Sequence, residues 1–126
     1  MLDIQRRETT ARMSQIVIHN QTAYMAGVVA NDLHADITEQ TAQALTEIDR
    51  LLADAGSNKH RLLSAQIWMR ELERDFNALN AVWEKWLLPN TAPTRATCQT
   101  SMAAPGILVE IIVPAAISGF EKLPAN

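Results

Sequence analysis

Arg95 and Glu110 are the residues of this chain best suited to chemistry. Residues 92–111 read APTRATCQTSMAAPGILVEI, and these two charges interrupt what otherwise reads as a pair of half-buried strands. A strand tolerates a charge on its wet face, but a glutamate in the middle of Val109-Glu110-Ile111 is out of keeping with its neighbours. An arginine fork donates two parallel hydrogen bonds to a carboxylate and stays charged at any working pH. A partly desolvated glutamate can take a proton from water and hand one to a departing amine. The structural alternatives are a surface arginine at a strand end, or an Arg–Glu pair that only ties elements together. Buried pairs are poor stabilisers by themselves.

Thr97 lies two residues after Arg95 and so faces the same side of its strand. Cys98 then faces the other side and reads as a core residue; as the single cysteine it can form no intrachain disulfide. His19, His34 and His60 are scattered without metal-ligand spacing, so no metal site is expected. Trp68, Trp83 and Trp86 read as core and interface packing. Met13, Met25, Met69 and Met102 can fill gaps in packing. Gly27 is either a strand-end glycine or a point where backbone comes close to a ligand.

The elements that must position these residues follow from pattern. Ile16-Val17-Ile18, a turn at His19-Asn20-Gln21-Thr22 and Ala23 to Gly27 read as a hairpin, with Asn20 suited to positive φ. Leu2 to Arg6 reads as a short strand before it. Asp36-Ile37-Thr38-Glu39 is a variant capping box. Ala44, Leu45, Ile48, Leu51, Leu52 and Ala55 then recur at helical spacing, with Gly56 as the stop. Leu62 to Met69 reads as a strand. Phe76, Leu79, Val82, Trp83, Trp86 and Leu87 repeat the helical spacing, and Pro89 ends it. Strands over about 95–101 and from Ile107 to Val113 flank a turn at Ala104-Pro105-Gly106, and 118–126 reads as a loose tail. The order βββαβαββ predicts an α+β or α/β domain with a four- to six-stranded mixed sheet, two helices on one face and the other face open to another subunit.

The totals bound the function. A chain of 126 residues suits one domain, residues 1–126, with a real core. Its net charge of −3 and lack of a basic run leave no electrostatic footprint for nucleic acid. The start, MLDIQRRETT, lacks the apolar run of a signal peptide, and no apolar run approaches membrane-spanning length. A soluble, cytoplasmic protein with no membrane partner is expected.

Several motifs, taken in order, resemble the Rid family (the RidA/YjgF reactive-intermediate imine deaminases). They are Ser14-Gln15, Ala26-Gly27, Asp75-Phe76 with Leu79-Asn80, and Pro93-Thr94-Arg95-Ala96-Thr97 fifteen residues ahead of Glu110. The resemblance runs from about residue 11 to 117. The stretches 14–20, 39–59 and 75–86 most resemble the YoaB-like branch. It implies an α+β, chorismate-mutase-like fold and a homotrimer with clefts between subunits. It also implies hydrolysis of 2-imino acids to 2-keto acids and ammonia, with no cofactor or metal. By the same resemblance Arg95 binds the substrate carboxylate, Glu110 handles water and protons, and Thr97, Gly27 and Met13 line the substrate site. The fold so implied puts another strand between those of Arg95 and Glu110.

The chain departs from the family pattern at two places. The tyrosine that lines the cleft in relatives is Met13 here, and the Ser-Gly-Gln of the third strand is Ala26-Gly27-Val28. The cleft is therefore more apolar, which fits either a preference for larger apolar imino acids or a non-catalytic small-carboxylate-binding or regulatory trimer. An RNA-cleaving role, attached to some relatives, is disfavoured by the acidic balance.

Overall fold

The computed structural model describes residues 3–117. Its strands are β1 Gln5–Thr9, β2 Ser14–His19, β3 Thr22–Met25, β4 Val28–Val29, β5 Ser64–Met69, β6 Thr94–Gln99, β7 Val109–Ile112 and β8 Pro114–Ala116; its helices are α1 Ile37–Asp54 and α2 Leu72–Trp86. A short 3-10 turn, Lys59–Arg61, precedes β5. The expected tail, 118–126, lies outside the described residues.

Local signals set the helix ends and the first turn. The Asp36 carboxylate accepts from the Glu39 N–H at 2.9 Å, and Gly56 follows the helix with φ +82°. Asn20 and Gln21, at φ 54° and 65°, make the two-residue turn between β2 and β3. The Ala104–Gly106 turn forms as expected, closed by the Ile107 N–H on the Ala104 carbonyl at 3.2 Å.

The sheet differs from a single layer of four to six strands. Two four-stranded sheets form, ordered β1-β2-β3-β8 and β4-β7-β5-β6. The expected third strand ends at Met25 and is followed by an unexpected strand, Val28–Val29, in the other sheet; the expected last strand ends at Ile112 and is followed past Val113 by Pro114–Ala116, which pairs in the first sheet. The Met25 N–H bonds the Val113 carbonyl at 3.3 Å where the sheets meet, and Pro114 brings no donor to continue the old ladder. The first strand is displaced to Gln5–Thr9, and the strand expected from Leu62 begins at Ser64.

β5, α2 and β6 form a parallel crossover unit, whereas β7 runs antiparallel to β5. The core lies between the sheets and the helices. Ile16, Ile18, Met25, Ile67, Val109 and Ile111 meet Leu45, Ile48, Leu51 and Leu52 of α1 and Leu79 and Trp83 of α2. The Trp86 indole N–H bonds Asp49 at 3.0 Å and ties α2 to α1. Residues of the opposite sheet face, among them Val29, Trp68 and Ile112, are only half-buried, and Tyr24 is exposed.

Candidate active site

β6 is an edge strand, and its register fixes where Arg95 points. Arg95 and Thr97 pair in parallel with Ala65 and Ile67, both buried on the helix side, so they face α2. The Arg95 guanidinium carbon lies 5.8 Å from the Phe76 ring and 6.0 Å from the Trp83 ring. Phe76 and Trp83 are seven residues apart, two helical turns, and so lie on one face of α2. Among the described residues the guanidinium makes no hydrogen bond and no ion pair. Burial pushes its pKa below the ordinary arginine value, and the charge of Glu84 opposes that shift in part. A desolvated, unpaired fork is a group that gains from receiving a carboxylate.

Beside Arg95, Thr97 borders a pocket of about 360 Å³ shared with Leu72, Glu73, Phe76 and Asn77 of α2. The Leu72 N–H donates to Gln99 Oε1 at 2.9 Å, which holds the start of α2 against the end of β6. The ring platform under Arg95 was legible only as helical spacing. That spacing reads as packing, and it is the register of β6 that sets Arg95 against the two rings.

Glu110 lies elsewhere. On β7 it pairs with Val29 on one side and Trp68 on the other, and it alternates with buried Val109 and Ile111. Its side chain therefore projects from the sheet face opposite to the helices. β5 stands between β6 and β7, as the resemblance implied, so Arg95 and Glu110 are no cross-strand pair. Trp68 pairs with Cys98, three residues beyond Arg95. Two strand spacings of about 4.8 Å and three residues of about 3.3 Å put the two α-carbons about 14 Å apart. In one chain they point away from each other.

Gly27 belongs with Glu110. A Cβ added to Gly27 would run into the Glu110 carboxylate, with Cδ at 2.9 Å and Cγ at 3.1 Å. Glycine is what lets the carboxylate lie against the backbone. The Ala26 N–H donates to the Gln15 carbonyl at 3.0 Å, which extends the β2–β3 register and brings the start of β2 alongside Gly27. Met13, just before β2, is 44% exposed and packs no core, contrary to the gap-filling expectation. Met25 and Met69 are buried as expected.

The segment leading into β7 is held from both sides. The buried Gln40 side chain donates to the carbonyls of Ala35 at 3.0 Å and Gly106 at 2.9 Å, and accepts from the Leu108 N–H at 3.0 Å. Arg70 donates to the carbonyls of Ile107 at 3.1 Å and Ala104 at 2.8 Å. These bonds set the position from which Glu110 projects. Cys98 is exposed, which corrects its reading as core: it faces away from the helices on an edge strand with no layer over it.

The candidate residues thus fall in two groups on opposite faces: Arg95, Thr97 and the Phe76 platform on one, and Glu110 and Gly27 on the other. The family model described as Endoribonuclease L-PSP matches residues 4–117. The chain belongs to this family. It is 42% identical over 116 residues to the RutC family protein YoaB of Escherichia coli (strain K12), covering 92% of this chain and 100% of that one. The crystal structure of NMB1025, a member of the YjgF protein family from Neisseria meningitidis, superposes with a TM-score of 0.88. That match has 36% identity over 91% of this chain and 95% of the other. A more distant relative, 29% identical over 104 residues (78% of this chain, 74% of the other), is a 2-iminobutanoate/2-iminopropanoate deaminase of Capra hircus. The Rid-type membership and YoaB-like character read from the motifs, and the α+β fold with them, are confirmed.

Proposed function

We propose that this protein hydrolyses 2-imino acids, tautomers of reactive enamines, to 2-keto acids and ammonia. The cleft is shared between neighbouring copies of a homotrimer, one giving Arg95 and Thr97 and the next giving Glu110 and Gly27. One observation carries the reading: two unpaired, half-buried groups of opposite charge point from opposite faces of one sheet. The distant relative named as an imine deaminase supports it.

The chemistry fits those groups. Arg95 takes the substrate carboxylate in its fork and so fixes the adjacent C=N carbon; positioning of this kind supplies several kcal/mol of rate enhancement. Glu110 accepts a proton from water as the oxygen adds to the carbon of the protonated imine, giving an amino alcohol. It returns that proton to nitrogen, and as the C–N bond breaks the hydroxyl proton passes back to the Glu110 carboxylate, leaving the keto acid and ammonia, which takes up that proton as ammonium.

A second reading, a regulatory trimer that only binds a small carboxylate, is favoured by Met13, Ala26 and Val28. They stand where the family pattern has hydroxyl- and amide-bearing side chains. The two readings separate in Glu110→Gln. The deaminase reading expects turnover lost by about 100-fold or more with 2-keto acid binding kept or tightened. Arg95→Ala should lose both binding and turnover. Wild-type binding without turnover of any imino acid establishes the regulator instead.

A further inference from the structure

The groove that holds Arg95 has a negative charge at each end. α2 runs back along β6. Trp83 and Phe76 lie over Arg95, and the start of the helix reaches Gln99. Glu73, Phe76 and Asn77 follow at helical spacing on one side of the first turns and, with Leu72 and Thr97, line the pocket one step beyond Arg95. At the other end Glu84 acts electrostatically on Arg95. Among the described residues neither Glu73 nor Glu84 is in an ion pair. Arg74, the cation next to Glu73 in sequence, is taken by Asp75 through two 2.9 Å bonds. A carboxylate seated on Arg95 uses the positive charge of the groove. A side chain continuing past Thr97 enters the pocket that Leu72, Phe76 and Glu73 line.

We propose that Glu73 is a specificity-determining residue that biases the cleft toward substrates with a single carboxylate. The substrate side chain lies on Leu72 and Phe76, and dicarboxylic imino acids such as 2-iminoglutarate and 2-iminosuccinate are disfavoured. The inference rests on the deaminase reading for its substrate. A second carboxylate would sit near Glu73 with no countercharge and would lose part of its hydration on the apolar ring. Glu73 is exposed, so screening limits the effect to about 3- to 10-fold at physiological salt.

The test generates 2-iminobutanoate and 2-iminoglutarate in place from the amino acids with an oxidase and follows each by semicarbazide trapping. It compares the full-length wild type with Glu73→Gln and Glu73→Lys. The expected result is a ratio of kcat/KM, monocarboxylate over dicarboxylate, that falls about 3- to 10-fold in Glu73→Gln and further in Glu73→Lys. The change is carried by KM for the dicarboxylate. Raising the salt should narrow the wild-type ratio and leave that of Glu73→Gln nearly flat. A ratio equal in wild type and Glu73→Gln overturns the assignment. If the wild type hydrolyses neither imino acid, the deaminase reading fails separately. The pocket is then read by calorimetry with 2-oxobutanoate and 2-oxoglutarate. The same shift in the Kd ratio supports it, and an equal ratio, or binding of neither acid, overturns it.

Discussion

Two inactive variants of this protein should restore each other. Within one chain the α-carbons of Arg95 and Glu110 are about 14 Å apart and their side chains leave opposite faces of the sheet. A small imino acid cannot touch both. The proposed homotrimer resolves this if each cleft takes Arg95 from one copy and Glu110 from the next. Arg95→Ala and Glu110→Gln homotrimers should each lose about 100-fold or more of imine hydrolysis. After refolding together in equal amounts, a cleft is intact when its arginine comes from a Glu110→Gln chain and its glutamate from an Arg95→Ala chain. Each condition holds in half of the cases, so about one quarter of clefts, and about one quarter of wild-type activity, should return. The assay is imine hydrolysis on mixtures whose mixed composition is checked by native mass spectrometry on differently tagged chains. Mixed trimers that stay as inactive as either parent would refute the shared cleft.

Three further outcomes test single contacts. Gly27→Ala should cut turnover by about 100-fold with little change in melting temperature, because the new methyl displaces the flexible Glu110 carboxylate by about an ångström and leaves the core alone. Gln40→Leu should cost about 2–4 kcal/mol in urea unfolding, because the Leu108 N–H and the carbonyls of Ala35 and Gly106 lose their partners in a buried setting. The pKa of Glu47 is lowered, first by its hydrogen bond from Arg50, so the pair contributes stability above the ordinary glutamate pKa and loses it as the pH falls through the lower folded value. Glu47→Gln should therefore melt slightly below wild type at pH 7 and level with it near pH 3, as read by thermal scans at both pH values.

The legible parts of the fold were those set by local chemistry. Asp36 and Gly56 bracket α1, Asn20 turns the first hairpin, and Pro89 closes α2, each through a few neighbouring atoms. The sheet breaks were not legible. Residues 23–27 and 107–113 read as strands by periodicity, and the further strands Val28–Val29 and Pro114–Ala116, each in the other sheet, depend on pairings across the whole chain. The β1 sequence QRRET has no alternation to mark it, because it is an exposed edge. The same limit applies to the site. Period two puts Arg95 with Thr97 and against Cys98, and that held. It cannot say which face meets a helix, so the Phe76–Trp83 platform was missed and Cys98 was placed in the core.

Imine lifetime is the most direct measure of the central claim. With 2-iminobutanoate generated in place and the surviving imine trapped by semicarbazide, wild-type protein should shorten the lifetime well below that of the protein-free blank. Arg95→Ala and Glu110→Gln should each match the blank. A wild-type lifetime equal to the blank, across short, branched and aromatic imino acids, would contradict the account.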